Sequence, residues 1–185
     1  MIVRFLTFLI LIITQVTFDA PAPKPSRSVL VVGDSLGVGL GGTLQALGKT
    51  DGDKVTVEAI VGTNTCQWAG KIDDAIKRNK PTDVLVSLGT NDAAAGKDWV
   101  VRNSHCYSDF SKSVKSSGAK LLWILPPTLP ARMEEGRKAS VSESTKVADR
   151  TFDSTPITSG RAPDGVHYTP QGYKAWAEKV WAWSK

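Results

Sequence analysis

Val29-Leu30-Val31-Val32-Gly33-Asp34-Ser35-Leu36 opens the interpretable part of the chain. Four consecutive apolar residues, three of them β-branched, end abruptly at a Gly-Asp-Ser turn. A short continuous run of this kind is the pattern of a strand buried on both faces of a parallel sheet. Three further runs follow downstream: Val55 to Ile60, Val84 to Leu88 and Leu121 to Leu125. The second alternates more than the others, which predicts an edge strand. Between the runs, Leu40 to Leu47, Cys66 to Arg78 and Trp99 to Ser117 have helical length and periodicity. Strand and helix therefore alternate, which predicts an α/β fold with a doubly wound sheet.

The last helix is predicted to begin at Pro170, a good first-turn residue, and to place Tyr173, Trp176, Ala177 and Val180 on one stripe. The region from Pro126 to Asp153 is less regular, with a weak helical pattern over Glu134 to Arg150 and a short fifth strand expected near Thr151 to Asp153. In an open sheet of this type ligands bind beyond the carboxyl ends of the strands. Polar residues just after each apolar run are therefore the ones to inspect for chemistry.

The 185 residues suit one domain rather than two, and 41% hydrophobic with 22% charged residues is ordinary globular composition. Two Cys and two His, far apart, give no metal-binding cluster, so no metal and no cofactor are expected. The formal charge is +5. Lys and Arg are dispersed rather than clustered, so nucleic-acid binding is not inferred, although anionic surfaces such as cell-wall polymers or lipid headgroups would be favoured.

Residues 1–20 have the character of an export leader. Arg4 precedes and interrupts an apolar stretch reaching Ile13, too short to span a bilayer comfortably, and a Pro-rich linker at 21–27 follows. Ala20 and Ala22 are small enough for a cleavage site, but each is followed by Pro, so an uncleaved membrane anchor is the alternative. Export, whether secreted or periplasmic, would place Cys66 and Cys106 in an oxidising compartment where they are expected to pair, two free buried thiols being the alternative.

Four polar groups fall where a site should form. Gly33-Asp34-Ser35 follows the first strand and starts a helix, so the Ser35 hydroxyl sits at a helix amino terminus. Gly62 follows the second strand and lets a backbone N–H approach a ligand. Gly89-Thr90-Asn91-Asp92 follows the third and supplies the Asn91 amide. Asp164-Gly165-Val166-His167 precedes the last helix, with the three-residue spacing that lets a carboxylate orient an imidazole. Each alone is an ordinary turn, loop glycine or cap. His105 lies in a predicted helix beside Cys106, which leaves His167 as the single plausible base.

Taken together, Ser35, Gly62, Asn91 and His167 resemble the four signature residues of the SGNH hydrolases, or GDSL-type esterases, and Gly33-Asp34-Ser35-Leu36 resembles that family's first block. The resemblance spans residues 28 to 183. It implies a three-layer α/β/α flavodoxin-like sheet, mostly parallel, of four to five strands, filling a domain at 28–185. It also implies a Ser35, His167 and Asp164 triad acting through an acyl-enzyme, with Ser35, Gly62 and Asn91 forming the oxyanion hole.

The small size and lack of a lid insertion point to short acyl groups, with acetyl on an extracellular or cell-wall glycan as the expected substrate. Asp34, Trp68 and Trp99 are expected at the substrate surface. The enzyme is expected to act as a monomer, with membrane contact only through the leader. The same residues would also suit an O-acetyltransferase, and a non-catalytic surface or virion module retaining the fold is a third reading.

Overall fold

A computed structural model describes residues 26–185. The expectations for the leader and for most of the 21–27 linker lie outside the described residues. Five strands, β1 (Ser28–Gly33), β2 (Lys54–Val57), β3 (Asp83–Ser87), β4 (Lys120–Ile124) and β5 (Arg150–Phe152), form one sheet in the order β2-β1-β3-β4-β5. Every pairing is parallel. The sheet is thus wholly rather than mostly parallel, with the flavodoxin-type order whose switch point lies between β1 and β3.

The helices are α1 (Ser35–Thr50), α2 (Thr65–Ala69), α3 (Ile72–Asn79), α4 (Thr90–Ala95), α5 (Lys97–Arg102), α6 (His105–Ser116), α7 (Glu134–Val147) and α8 (Pro170–Ser184). The alternating side chains of β1 feed two cores. Leu30 and Val32 pack with Trp68, Phe110 and Trp123 on one side of the sheet. Val29 and Val31 pack with Leu40, Leu44, Trp176 and Val180 on the other. Each fully buried aliphatic side chain stabilises the fold by roughly 1.5–3 kcal/mol, which explains why the apolar runs read so clearly as strands.

Two predicted helices are each divided. The 66–78 segment breaks at Gly70, the C-cap of α2, before α3 begins. The 99–117 segment breaks at Asn103, whose side-chain amide donates to the Trp99 carbonyl at 2.8 Å and ends α5. The last helix starts at Pro170 as expected, with the Thr169 side chain accepting from the Gly172 N–H.

Strand β2 ends three residues short of its predicted limit, yet its backbone keeps the sheet direction. The Ile60 N–H donates to the Gly33 carbonyl at 2.9 Å. That bond carries the segment before Gly62 up to the end of β1.

Candidate active site

Three of the four sequence-predicted groups stand at the carboxyl ends of β1, β2 and β3, and the loop before α8 brings the fourth to the same place. Gly33 ends β1 against β3. A Cβ there would lie 2.6 Å from the Ser87 carbonyl oxygen, so only glycine permits this approach. The Asp34 N–H donates to that oxygen at 3.1 Å. Asp34 then caps α1, its carboxylate accepting from the Leu36 N–H at 2.9 Å, and Ser35 becomes the first helical residue. A serine in this position points a hydroxyl from a helix amino terminus, where partial positive charge favours a developing anion.

The imidazole of His167 bridges two partners. Its Nε2 lies 2.8 Å from Ser35 Oγ, and its Nδ1 lies 2.6 Å from Asp164 Oδ2. Asp164 Oδ1 accepts the N–H groups of Val166 and His167, both at 2.9 Å. Gly165 makes that turn possible with a φ of 71°. The bond to His167, followed by these two backbone donors, lowers the Asp164 carboxyl to about 2. It is therefore ionised at neutral pH and can only accept, which puts the shared proton on Nδ1 and leaves the Nε2 lone pair for the Ser35 hydroxyl.

On the other side of Ser35, Gly62 is exposed with a φ of 78°, and its N–H has no hydrogen-bond partner among the described residues. Asn91 lies in the first turn of α4, and its Nδ2 donates to the Thr63 carbonyl at 2.8 Å. A second contact, to Asp34 Oδ2, is 3.4 Å and long for a hydrogen bond. One amide hydrogen thus holds the Gly62–Thr63 loop, and the other makes only the long contact to Asp34.

Two residues expected at the substrate surface are not there. Asp34 is fully buried, and its carboxylate is used to cap α1. Trp68 is only 1% exposed, and its indole N–H donates to the Gly33 carbonyl and to Thr63 Oγ1, both at 3.0 Å. It braces the ends of β1 and the Gly62 loop from beneath and offers no face to a sugar. Trp99 is half-buried and packs against the core on the same side of the sheet.

Sequence reasoning also missed the support behind Asn91. Asp92 is buried and receives the Thr65 N–H at 3.2 Å and the Tyr107 hydroxyl at 3.1 Å, and the Tyr107 oxygen in turn accepts from the Ser140 hydroxyl at 3.0 Å. The signal for Asp92 was the last letter of Gly-Thr-Asn-Asp; nothing in the sequence marks Tyr107 or Ser140.

Burial dominates the electrostatics beneath the site. It pushes Asp34 up to about 7, the Leu36 and Gly37 N–H groups opposing and the Asp92 charge adding to the shift. It raises Asp92 as well, against the pull of its Thr65 and Tyr107 bonds. Cys66 on α2 and Cys106 on α6 form a disulfide with a Cα separation of 4.8 Å. The helix that follows the Gly62 loop is thereby joined to the outer layer.

A family model described as a protein of unknown function (DUF459) matches residues 28–148. That span holds Ser35, Gly62 and Asn91 and stops before Asp164 and His167. No curated protein matches the chain. Among solved structures it is similar to the psychrotrophic esterase EstA of a Pseudoalteromonas species, at 16% identity and a TM-score of 0.71, over 86% of this chain and 96% of that one. An acetyl xylan esterase, AlAXEase, matches at 16% identity and 0.69, over 85% and 100%. A GDSL-like lipase of Bacteroides thetaiotaomicron matches at 18% and 0.61, over 85% and 88%. The fold is that of the GDSL and SGNH hydrolases.

Proposed function

We propose that this chain, which belongs to the DUF459 family of proteins of unknown function, is a serine ester hydrolase using Ser35, His167 and Asp164. The observation that carries this reading is the continuous relay from Ser35 Oγ through both nitrogens of His167 to Asp164, at 2.8 and 2.6 Å. His167 Nε2 takes the hydroxyl proton as Ser35 Oγ bonds to the ester carbonyl carbon. The resulting imidazolium is stabilised by the ionised Asp164. The oxyanion receives the Ser35 and Gly62 N–H groups and the Asn91 Nδ2 hydrogen that otherwise makes only the long contact to Asp34. As the C–O bond breaks, His167 returns the proton to the departing alcohol. Water then attacks the acyl-enzyme by the same route in reverse.

Short acyl groups, acetyl above all, on an extracellular or cell-wall glycan suit the site best. Ser35 and His167 are partly exposed, so a bulky carbohydrate can approach from outside. Val38, in the turn after Ser35, and Ile60 and Val61, just before Gly62, are exposed apolar residues in the segments beside the nucleophile and suit a small alkyl group. The shared fold with an acetyl xylan esterase points the same way, and the leader and the disulfide support an exported enzyme.

The test is labelling by a fluorophosphonate together with acetate release from acetylated glycans and nitrophenyl esters. Wild type should label at Ser35 and prefer acetyl to long acyl esters, and Ser35→Ala should do neither. Absence of labelling in folded protein would overturn the hydrolase reading. Acetate appearing on a supplied glycan acceptor instead of in solution would assign the same residues to acyl transfer.

A further inference from the structure

We infer that the end of the domain opposite the candidate active site is a docking face for an anionic phospholipid bilayer, formed by Lys54, Lys80, Lys120 and Arg150. This rests on charge placement and chain connectivity and does not depend on the esterase reading. It extends membrane contact beyond the leader, where the sequence had confined it.

Because all five strands are parallel, their starting residues and the carboxyl ends of the flanking helices lie at one end. The register pairs Ser28 with Lys54, Asp83 with Lys120 and Leu122 with Arg150. Three cations at this end are matched by carboxylates: Arg27 by Asp53, Lys115 by Asp149 and Lys185 by Asp51. Lys49, Lys54, Lys80, Lys120 and Arg150 are exposed and have no carboxylate partner among the described residues. The remaining carboxylate, Asp83, is buried and accepts from Thr82.

Residues 1–25 hold Arg4, Lys24 and Asp19, so the described residues carry a positive excess of four. That is the excess found at this one end. The other described residues hold thirteen cations and thirteen carboxylates.

Helix dipoles account for Lys49 and Lys80, which close α1 and α3. They account for Arg150 too, whose guanidinium donates to the Trp183 carbonyl in the last turn of α8 at 2.6 Å and lies over the Trp183 ring, but not for Lys54 and Lys120, which begin strands. Lys120 begins an interior strand, so protection of a sheet edge does not explain it either. A depression of about 660 Å³ lies between Lys120, Arg150, Arg27 and Lys185, with the carboxylates of Asp83 and Asp149 also in its lining, and four cations against two carboxylates leave it net positive and large enough to admit a phosphodiester headgroup.

The occupant is set by the chain itself. Residues 1–25 join the domain at Ser26, on this same face, and their sequence contains the apolar run that ends at Ile13. The connection from Thr14 to Arg27 reaches at most about 45 Å when extended. A bilayer holding that run would lie within reach of the cationic face and leave Ser35 at the far end of the domain. Among the described residues no helix is long and apolar enough to cross a membrane, so the contact would be peripheral.

The full chain should be sedimented with vesicles of phosphatidylglycerol and phosphatidylcholine, and with vesicles of phosphatidylcholine alone. Wild type is expected to prefer the anionic vesicles, and raised salt should remove the preference. A Lys54→Gln, Lys80→Gln, Lys120→Gln variant should lose on the order of 100-fold of it, at about fivefold per lysine. A control carrying Lys71→Gln, Lys97→Gln and Arg132→Gln has the same net charge and should keep it. Should the triple variant fail to fold, Lys120→Gln alone should still lose about fivefold.

Equal losses in face and control variants would reduce the effect to net charge and overturn the inference. Full retention by the face variant would assign binding to the leader and do the same. So would polygalacturonate stripping the protein from vesicles at equal charge concentration, which would make a soluble polyanion the ligand.

Discussion

The side-chain amide of Asn91 stands 3.4 Å from the carboxylate of Asp34. The residue immediately before the candidate nucleophile therefore abuts the residue proposed to receive the oxyanion. Asp34 fixes the start of α1 through the Leu36 N–H, and Asn91 fixes the Gly62 loop through the Thr63 carbonyl. Two sides of the site, from different strands, thus share one partly buried contact, and a shift in either would be felt by the other.

Replacing Asn91 by Ala removes one proposed oxyanion donor and the tie to Thr63. A single such donor typically contributes about 3–4 kcal/mol in the transition state, so kcat should fall roughly 100- to 1000-fold. Its hydrogen bond to Thr63 contributes only about 1 kcal/mol to folding, so the protein should remain folded. Steady-state kinetics beside a urea titration would separate the two effects. A variant with unchanged kcat would remove Asn91 from the oxyanion site.

Asp34 is expected to make folding stability depend on pH. Its carboxyl is raised from 3.8 to about 7 by burial. Below about pH 4 both folded and unfolded states are protonated there, and no penalty exists. Between pH 4 and 7 the unfolded chain releases the proton while the folded one holds it, so stability falls as pH rises and then levels off. Three units correspond to at most about 4 kcal/mol. Asp34→Asn retains a capping oxygen and should flatten this decline in denaturation midpoints measured from pH 4 to 8. Asp92, also raised by burial, leaves a residual slope of the same sign. An unchanged slope in Asp34→Asn would show that Asp34 ionises normally.

The strands were legible because burial on both faces leaves continuous Val and Leu runs, as in Val29 to Val32 and Val84 to Leu88. The edge position of β2 was legible from its alternation. Helix interruptions at Gly70 and Asn103 were not, since apolar periodicity continues across them while the break is made by local caps. Ser35, Asp164 and His167 could be read because each follows a strand or precedes a helix in a recognisable block. Trp68 misled for a physical reason. A tryptophan just past a loop looks the same in sequence whether its ring faces solvent or its N–H braces a carbonyl below, and only the bonds to Gly33 and Thr63 decide it.

Asp164→Asn should separate orientation from bulk. An asparagine keeps the oxygen that accepts the Val166 and His167 N–H groups, so the loop should survive. Its amide nitrogen, placed opposite Nδ1, would donate instead of accept and drive the proton to Nε2, where the imidazole can no longer receive the Ser35 hydroxyl. A loss of up to about 10⁴-fold in kcat is expected from such a tautomer reversal. Because both side chains are about half exposed, thermal stability near neutral pH should scarcely change. Retained activity at pH 7 would mean that His167 does not act through Nε2.

The Cys66–Cys106 link closes a span of 40 residues, which in the chain-entropy model stabilises the fold by about 4 kcal/mol. The Cys66→Ser, Cys106→Ser double variant should therefore unfold about 8–16 °C lower, at roughly 2–4 °C per kcal/mol for a domain of this size. The link also ties α2 to α6 directly after Gly62 and Thr63, so loosening it should disturb the oxyanion side before the triad. A raised KM or lowered kcat in the folded double variant, with fluorophosphonate labelling of Ser35 retained, is the expected signature. Two titratable thiols in denatured, unreduced wild type would mean that the link does not form and that α2 is held by packing alone.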